Sequence, residues 1–235
     1  MRFLNEGERA SAYIYGTIGD PWDMDSTNAK DFSEFLDSLN GKPLDIRIDS
    51  GGGDVYEAFA IASAIQRYEG ETVAYVDGLA ASAASYVAES ADKVVMNDFA
   101  EFMIHKAWAY AQGNSNEMLS IAERLEAIDE NIANVISKRS GMPLEDVKAA
   151  MEMETWYSAK DAVENGLADE LVETEQRIAA CVDPRIMAHY KNVPEGIVAE
   201  KPIDEPEESH TPETIAEDEE QSRSFVLIGN RVYES

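Results

Sequence analysis

The chain reads as an α/β fold with a mostly parallel sheet, and three features carry that reading. Short strand-like apolar runs alternate with helix-periodic segments, as in α/β folds. Two of the runs lead into tiny residues, at Gly51–Gly53 and Gly78–Ala84. A single long amphipathic segment follows them.

The elements come in order. Residues 12–18 form a first strand. Residues 28–39 place Ala29, Phe32, Phe35, Leu36 and Leu39 at helical spacing, and Gly41 and Pro43 then break the helix. Residues 44–49 alternate as a half-buried strand that the three glycines end. A helix over 55–68, a strand over 72–76, a helix over 82–90 and short strands over 93–96 and 102–104 complete this half. The long helix spans about 115–139, opened by a capping box of Asn114 with Glu117 and closed by Gly141. Pro143 opens a shorter helix. Met118, Ile121, Leu125, Ile128, Ile132, Val135 and Ile136 make one stripe on the long helix. Core packing is one account of it; a contact with a second subunit is the other.

Composition narrows the function classes. With 235 residues and 44% hydrophobic content, the chain can bury one core and carry an extension. The net charge of −28 leaves no basic face for nucleic acid. No apolar run is long enough for a membrane span, and no secretory leader is visible, so a cytoplasmic location is expected. Cys181 is the one cysteine, which excludes a disulfide framework and a cysteine metal cluster. No metal and no cofactor are expected. The acidity fits either a solubility or high-salt adaptation or a basic partner.

Beyond about residue 175 the character changes. Five of the eight prolines lie past Val182, and residues 195–220 carry eleven acids and one lysine. We divide the chain into a folded domain over 1–175, an acidic linker over 176–223 that reads as disordered, and a short apolar segment over 224–235. Gly229-Asn230 can close a hairpin in that segment, which would need a partner or another subunit to dock on.

The chemistry sits in the tiny-residue runs. A serine hydroxyl needs a base to take its proton. Ser82 follows a strand and a turn at Gly78, and opens a small-residue helix whose amides suit a developing negative charge. Ser85 competes, one helical turn deeper, and an incidental serine in an alanine-rich helix is the plain alternative. His105 is the one histidine before the extension, which holds His189 and His210, so a base in the folded domain must be His105. An acid should orient it. Glu154 is the choice, with Glu152 and Asp129 as rivals. Gly51–Gly53 let a backbone approach a bound peptide and aim an N–H at its carbonyl. A phosphate loop fits poorly, because the Walker lysine and the dinucleotide spacing are missing.

Four ordered stretches resemble the Clp protease peptidase subunit family: Ile46–Gly53, Gly78–Ser82, Met103–His105 and Ser158–Asp169. The resemblance runs from about residue 12 to 172. It implies a crotonase-like fold, a Ser82–His105–Glu154 triad, an oxyanion hole from the amides of Gly53 and Ala83, and substrate contact at Gly52. The best-known members carry aspartate where Glu154 stands. The resemblance also implies homo-oligomeric rings of seven stacked in pairs, the long helix serving as handle between them, and a protein substrate bound as an extended strand. The segment before the first strand is short, which counts against coupling to a Clp ATPase. Residues 155–169 and 190–194 look more like the Clp-related head maturation proteases of tailed phages, which cleave scaffold or capsid protein. The leading expectation is therefore a phage or prophage head maturation protease, in the host cytoplasm or the assembling procapsid. An ATPase-dependent Clp subunit, a catalytically silent capsid-assembly scaffold and an acyl-CoA enzyme of the crotonase fold are the alternatives.

Overall fold

The computed structural model describes residues 2–20, 26–173, 187–194, 225–228 and 231–234. It forms two compact units, Met1–Glu200 and Lys201–Ser235.

The first unit is built on an eight-stranded sheet. Its strands are β1 (Arg2–Leu4), β2 (Ala10–Ile18), β3 (Leu44–Gly53), β4 (Thr72–Ala81), β5 (Lys93–Asn97), β6 (Glu101–Ile104), β7 (Thr155–Ser158) and β8 (Glu170–Val172). The main path runs β1-β2-β3-β4-β5-β8, while β6 pairs with β4 and β7. All pairings are parallel except β1–β2 and β6–β7. The expected mostly parallel α/β sheet is therefore present.

Two strands run further than their sequence suggested. The three glycines do not end β3; it continues through them to Gly53. No turn forms at Gly78 either, and β4 continues to Ala81. β3 alternates as expected over Leu44–Ile48 and is then buried as far as Gly52, while β4 is buried almost throughout and lacks the alternation that marks a half-buried strand. The sheet changes register midway along both pairings: between Tyr15 and Thr17 in β2, and between Ile48 and Ser50 in β3. At that level the buried Asp77 accepts from the Tyr15 hydroxyl at 2.8 Å and from the Arg47 guanidinium. Ser50 Oγ donates to the Gly16 carbonyl at 2.5 Å. Past this shift β4 exchanges β5 for β6 as its neighbour, because β5 pairs only with Val73–Val76 and β6 only with Leu79–Ala81.

The helices are α1 (Ala29–Leu39), α2 (Val55–Arg67), α3 (Ala83–Ala88), α4 (Ser115–Ser140), α5 (Leu144–Glu152) and α6 (Ala159–Glu164). Caps set their starts. Asn28 accepts from the Asp31 amide, Asp54 from those of Tyr56 and Glu57, and Asn114 with Glu117 forms the expected capping box. Phe32, Ile14, Ile46, Ile48, Ile61 and Phe102 are fully buried, each worth about 1.5–3 kcal/mol of transfer free energy. On α4 only Ile128, Ala133 and Ile136 are buried; Met118, Ile121 and Leu125 remain partly open.

In the second unit β9 (Phe225–Ile228) and β10 (Arg231–Glu234) pair antiparallel, with Ile228 opposite Arg231. The Gly229-Asn230 turn lies outside the described residues, as do nearly all of the acidic linker and Cys181.

Glu89, at the C-terminus of α3, is 4% exposed and neither carboxyl oxygen has a hydrogen-bond partner. Burial pushes its pKa up to about 8, against the opposing pull of Arg139. The native chain therefore holds a proton that the unfolded chain gives up near 4.5. Stability should fall as pH rises between those values, with a slope of at most about 1.4 kcal/mol per pH unit. Glu89→Gln should out-stabilise wild type in urea titrations at pH 8 but not at pH 5. An equal difference at both pH values would show that Glu89 is ionised in the native state throughout.

Candidate active site

The turn from β4 into α3 is a single residue. Ala81 ends the strand, Ala83 begins the helix, and Ser82 lies between them at φ 56°, ψ −122°. A serine in this region stores strain of about 1–3 kcal/mol, and such elbows push a side chain out from the end of a sheet. The Ser82 amide donates to the Met103 carbonyl at 2.9 Å, and the Ser82 carbonyl accepts from the Ser85 and Tyr86 amides. The elbow is therefore pinned from both sides.

Two glycines make the elbow possible. A Cβ on Gly52 would stand 2.7 Å from the Ala81 carbonyl oxygen and 2.9 Å from the Ala83 nitrogen. One on Gly53 would stand 2.0 Å from the Ile18 carbonyl oxygen. Both glycines also adopt positive φ, at 93° and 149°.

Strand registers bring in the other groups. Ala81 lies opposite Met103, so His105, two residues on, comes over Ser82. His105 Nε2 is 2.7 Å from Ser82 Oγ. For the serine to donate, Nε2 must be the bare nitrogen, which puts the ring proton on Nδ1. Burial pushes the His105 pKa down to about 4, while the charge of Glu154 opposes that shift. The ring is thus neutral near pH 7 and able to accept a proton.

Ile104 pairs with Thr155 across the antiparallel β6–β7 ladder. Continuing that register sets Glu154 across from His105. Glu154 is 8% exposed and sits at φ 50°, a second strained non-glycine residue at the site. Its Oε1 accepts from the amides of Lys191 at 2.5 Å and Asn192 at 2.7 Å. Its rivals are engaged elsewhere. Glu152 pairs with Lys106 at 3.0 Å, and Asp129 accepts from the Ala107 amide at 2.7 Å. Ser85 is buried and donates to the Ser82 carbonyl at 2.6 Å.

Ser82, His105, Gly53 and Ala83 all line one cavity of about 510 Å³. Its apolar wall comes from Phe59, Trp108 and the α4 residues Ile121, Leu125 and Ile128. Gly52 is placed differently from its expected role in substrate contact. It is buried and gives its amide to Ser50 Oγ at 3.0 Å, so what it supplies is close packing beneath the elbow. Among the described residues no three His, Cys, Asp or Glu side chains converge as a metal site.

Two residues that the sequence assigned to the extension belong here. The Tyr190 hydroxyl donates to the Gly51 carbonyl at 2.5 Å, and its ring meets that of His105 edge-on at 5.1 Å. His189 lies against Trp108, with ring centroids 4.3 Å apart. The one signal for Tyr190 was the likeness of residues 190–194 to phage proteases; His189 carried none.

Residues 23–175 match the family model described as Clp protease. A Porphyromonas gingivalis protein named ATP-dependent Clp protease proteolytic subunit is 29% identical over 146 residues, 61% of this chain and 66% of that one. A protein of the same name from Streptococcus salivarius is 30% identical over 147 residues, covering 60% and 75%. The chain thus spans about two thirds to three quarters of the length of these two relatives. The solved structure of a ClpP1 mutant from Listeria monocytogenes superposes with a TM-score of 0.62 at 24% identity, over 70% of this chain and 92% of that one. That likeness concerns the fold.

A base with this pKa leaves a clear pH signature. Modification of Ser82 by a fluorophosphonate probe should lose rate only as pH falls toward about 4, well below the 6.5 of an ordinary imidazole. An acid limb at 6.5 or above would show a solvated ring rather than a buried one.

Proposed function

The chain belongs to the Clp protease family, whose members are serine endopeptidases, and on that premise we propose that Ser82, His105 and Glu154 form its catalytic triad. The observation that carries the assignment is the 2.7 Å contact between Ser82 Oγ and His105 Nε2 at a strained elbow opening on a cavity. Ser82 Oγ attacks the scissile carbonyl while His105 Nε2 takes its proton. Glu154 stabilises the imidazolium that results. The amides of Gly53 and Ala83, the latter at the first position of α3, hold the oxyanion. His105 then hands the proton to the leaving amine, and a water activated by the same base releases the acyl group.

A buried imidazole with a low pKa is a weak resting base, so it needs a partner for the charge it acquires. Glu154, whose charge opposes the burial shift of His105, is the group that supplies this.

The physiological setting we propose is a head maturation protease of phage or prophage origin, acting as a homo-oligomeric ring on scaffold or capsid protein. The likeness of residues 155–169 and 190–194 supports it, as does an acidic extension continuing past the family match at residue 175. The partly open apolar residues at the start of α4 support a subunit contact. A second reading is favoured by the names of the relatives: a peptidase served by a Clp ATPase.

Ser82→Ala should abolish peptide hydrolysis and probe labelling, and His105→Ala should do nearly as much. Each is expected to cost about 10⁴–10⁶ in turnover, and Glu154→Gln less. Label persisting in Ser82→Ala would move the nucleophile elsewhere. A well-folded wild type that takes no label would favour a silent scaffold. For the setting, cleavage of unfolded casein and of a stably folded protein would be compared with and without a Clp ATPase and ATP. Limited cleavage of casein at discrete sites, unchanged by ATPase, is expected. Degradation of the folded protein only with ATPase and ATP would establish the second reading instead.

A further inference from the structure

Residues 187–194 lie beyond the segment that matches the family, yet they are fastened to the candidate site at four places. Met187 is 4% exposed in a cluster with Leu79, Ala81 and Met103, beneath the β4–β6 pairing that sets His105. His189 stacks against Trp108 and meets Tyr110, both on the chain that leaves His105. Tyr190 donates to the Gly51 carbonyl, and its ring meets that of His105 edge-on. The amides of Lys191 and Asn192 close on Glu154 Oε1, while Asn192 Nδ2 donates to the Met153 carbonyl at 2.8 Å.

We propose that this segment is a positioning strap of the active site, holding the Glu154 carboxylate toward His105 and backing the imidazole with the Tyr190 ring. The proposal rests on the triad reading above.

The chemistry favours a positioning role over a plug. A carboxylate with one oxygen held by two adjacent amides has a single orientation left, and its other oxygen stays available for the base. Glu154 is the second residue of a two-residue link between α5 and β7 and sits at positive φ, with no helix or ladder of its own to hold it. The strap supplies that missing support. Burial pushes the Tyr190 phenol up to about 12, so it stays a donor to Gly51 across the working range. The strap's hydrogen bonds to the rest of the described residues go to Gly51, Tyr110, Met153 and Glu154. None of these bonds engages Gly53 or Ala83, whose amides would bind the oxyanion.

The test is a double-mutant cycle on the full-length chain. Asn192→Pro removes one amide donor from Glu154; Asn192→Ala keeps that amide and loses only the side chain. Tyr190→Phe keeps the ring and loses the bond to Gly51. Turnover of a fluorogenic peptide and the rate of fluorophosphonate labelling are read in each, in the Glu154 and Glu154→Gln backgrounds. Asn192→Pro should lower kcat by up to about 10²-fold with KM little changed, as expected when a catalytic group is misplaced. Asn192→Ala should lose less, and Tyr190→Phe only a few-fold. In the Glu154→Gln background Asn192→Pro should add little.

Equal losses in both backgrounds would mean a general structural effect and overturn the proposal. So would faster hydrolysis in Asn192→Pro, which would make the segment an inhibitory plug, and so would wild-type rates in all three variants. A folded wild type that takes no label sinks the hydrolase reading itself. A labelled wild type whose variants match it sinks only the strap.

Discussion

Three backbones meet at Ser82 with no room for a side chain between them. The end of β2 at Ile18, the glycines that finish β3, and the elbow between β4 and α3 lie so close that a Cβ on Gly52 or Gly53 would sit inside a neighbouring atom. Everything at the site follows from this approach. It lets a strand turn into a helix through one residue and keeps Gly53 beside Ala83 at the cavity wall. From there the strand registers do the rest. The β4–β6 pairing sets His105 over Ser82, and the β6–β7 pairing sets Glu154 across from His105. The candidate triad is thus a reading of sheet register, and a one-residue slip in either ladder would turn His105 or Glu154 to the opposite face.

Two buried glutamates show what local donors decide. Glu89 caps the C-terminus of α3 with neither oxygen hydrogen-bonded, and burial favours its protonated form at neutral pH. Glu154 is almost as buried, but two amides meet one of its oxygens. Burial disfavours the charged form of Glu89, which has no donor to offset it, whereas Glu154 is held in place by two main-chain donors. The fold thus keeps a neutral acid in the core.

Much of this was legible in the sequence, for identifiable reasons. Helices with strong caps and period, such as α1 and α4, were placed to within a residue or two, because Asn28, Asn114 and Gly141 carry the signal locally. Ser82, His105, Gly53, Ala83 and Glu154 were chosen, and the structure gathers them. The ends of β3 and β4 were misread because small residues in a fully buried strand look like turns. Strands β1, β7 and β8 are three or four residues long, too short to show a period. Gly52 was given a role toward substrate that its buried, bonded amide does not support.

Residues 187–194 escaped for a deeper reason. They form one short helical turn and a bend, and their worth lies in what they touch rather than in any pattern of their own. Met187 and Tyr190 are apolar anchors only because β4, β6 and His105 present surfaces to them. The Lys191 and Asn192 contributions are main-chain amides, which no residue type advertises. A compositional boundary near residue 175 therefore separates what looks like domain from what looks like tail, while the packed unit extends across it. The candidate triad is written in the first 155 residues; part of the chemistry that orients it, main-chain amides and the Tyr190 ring, is supplied from beyond them.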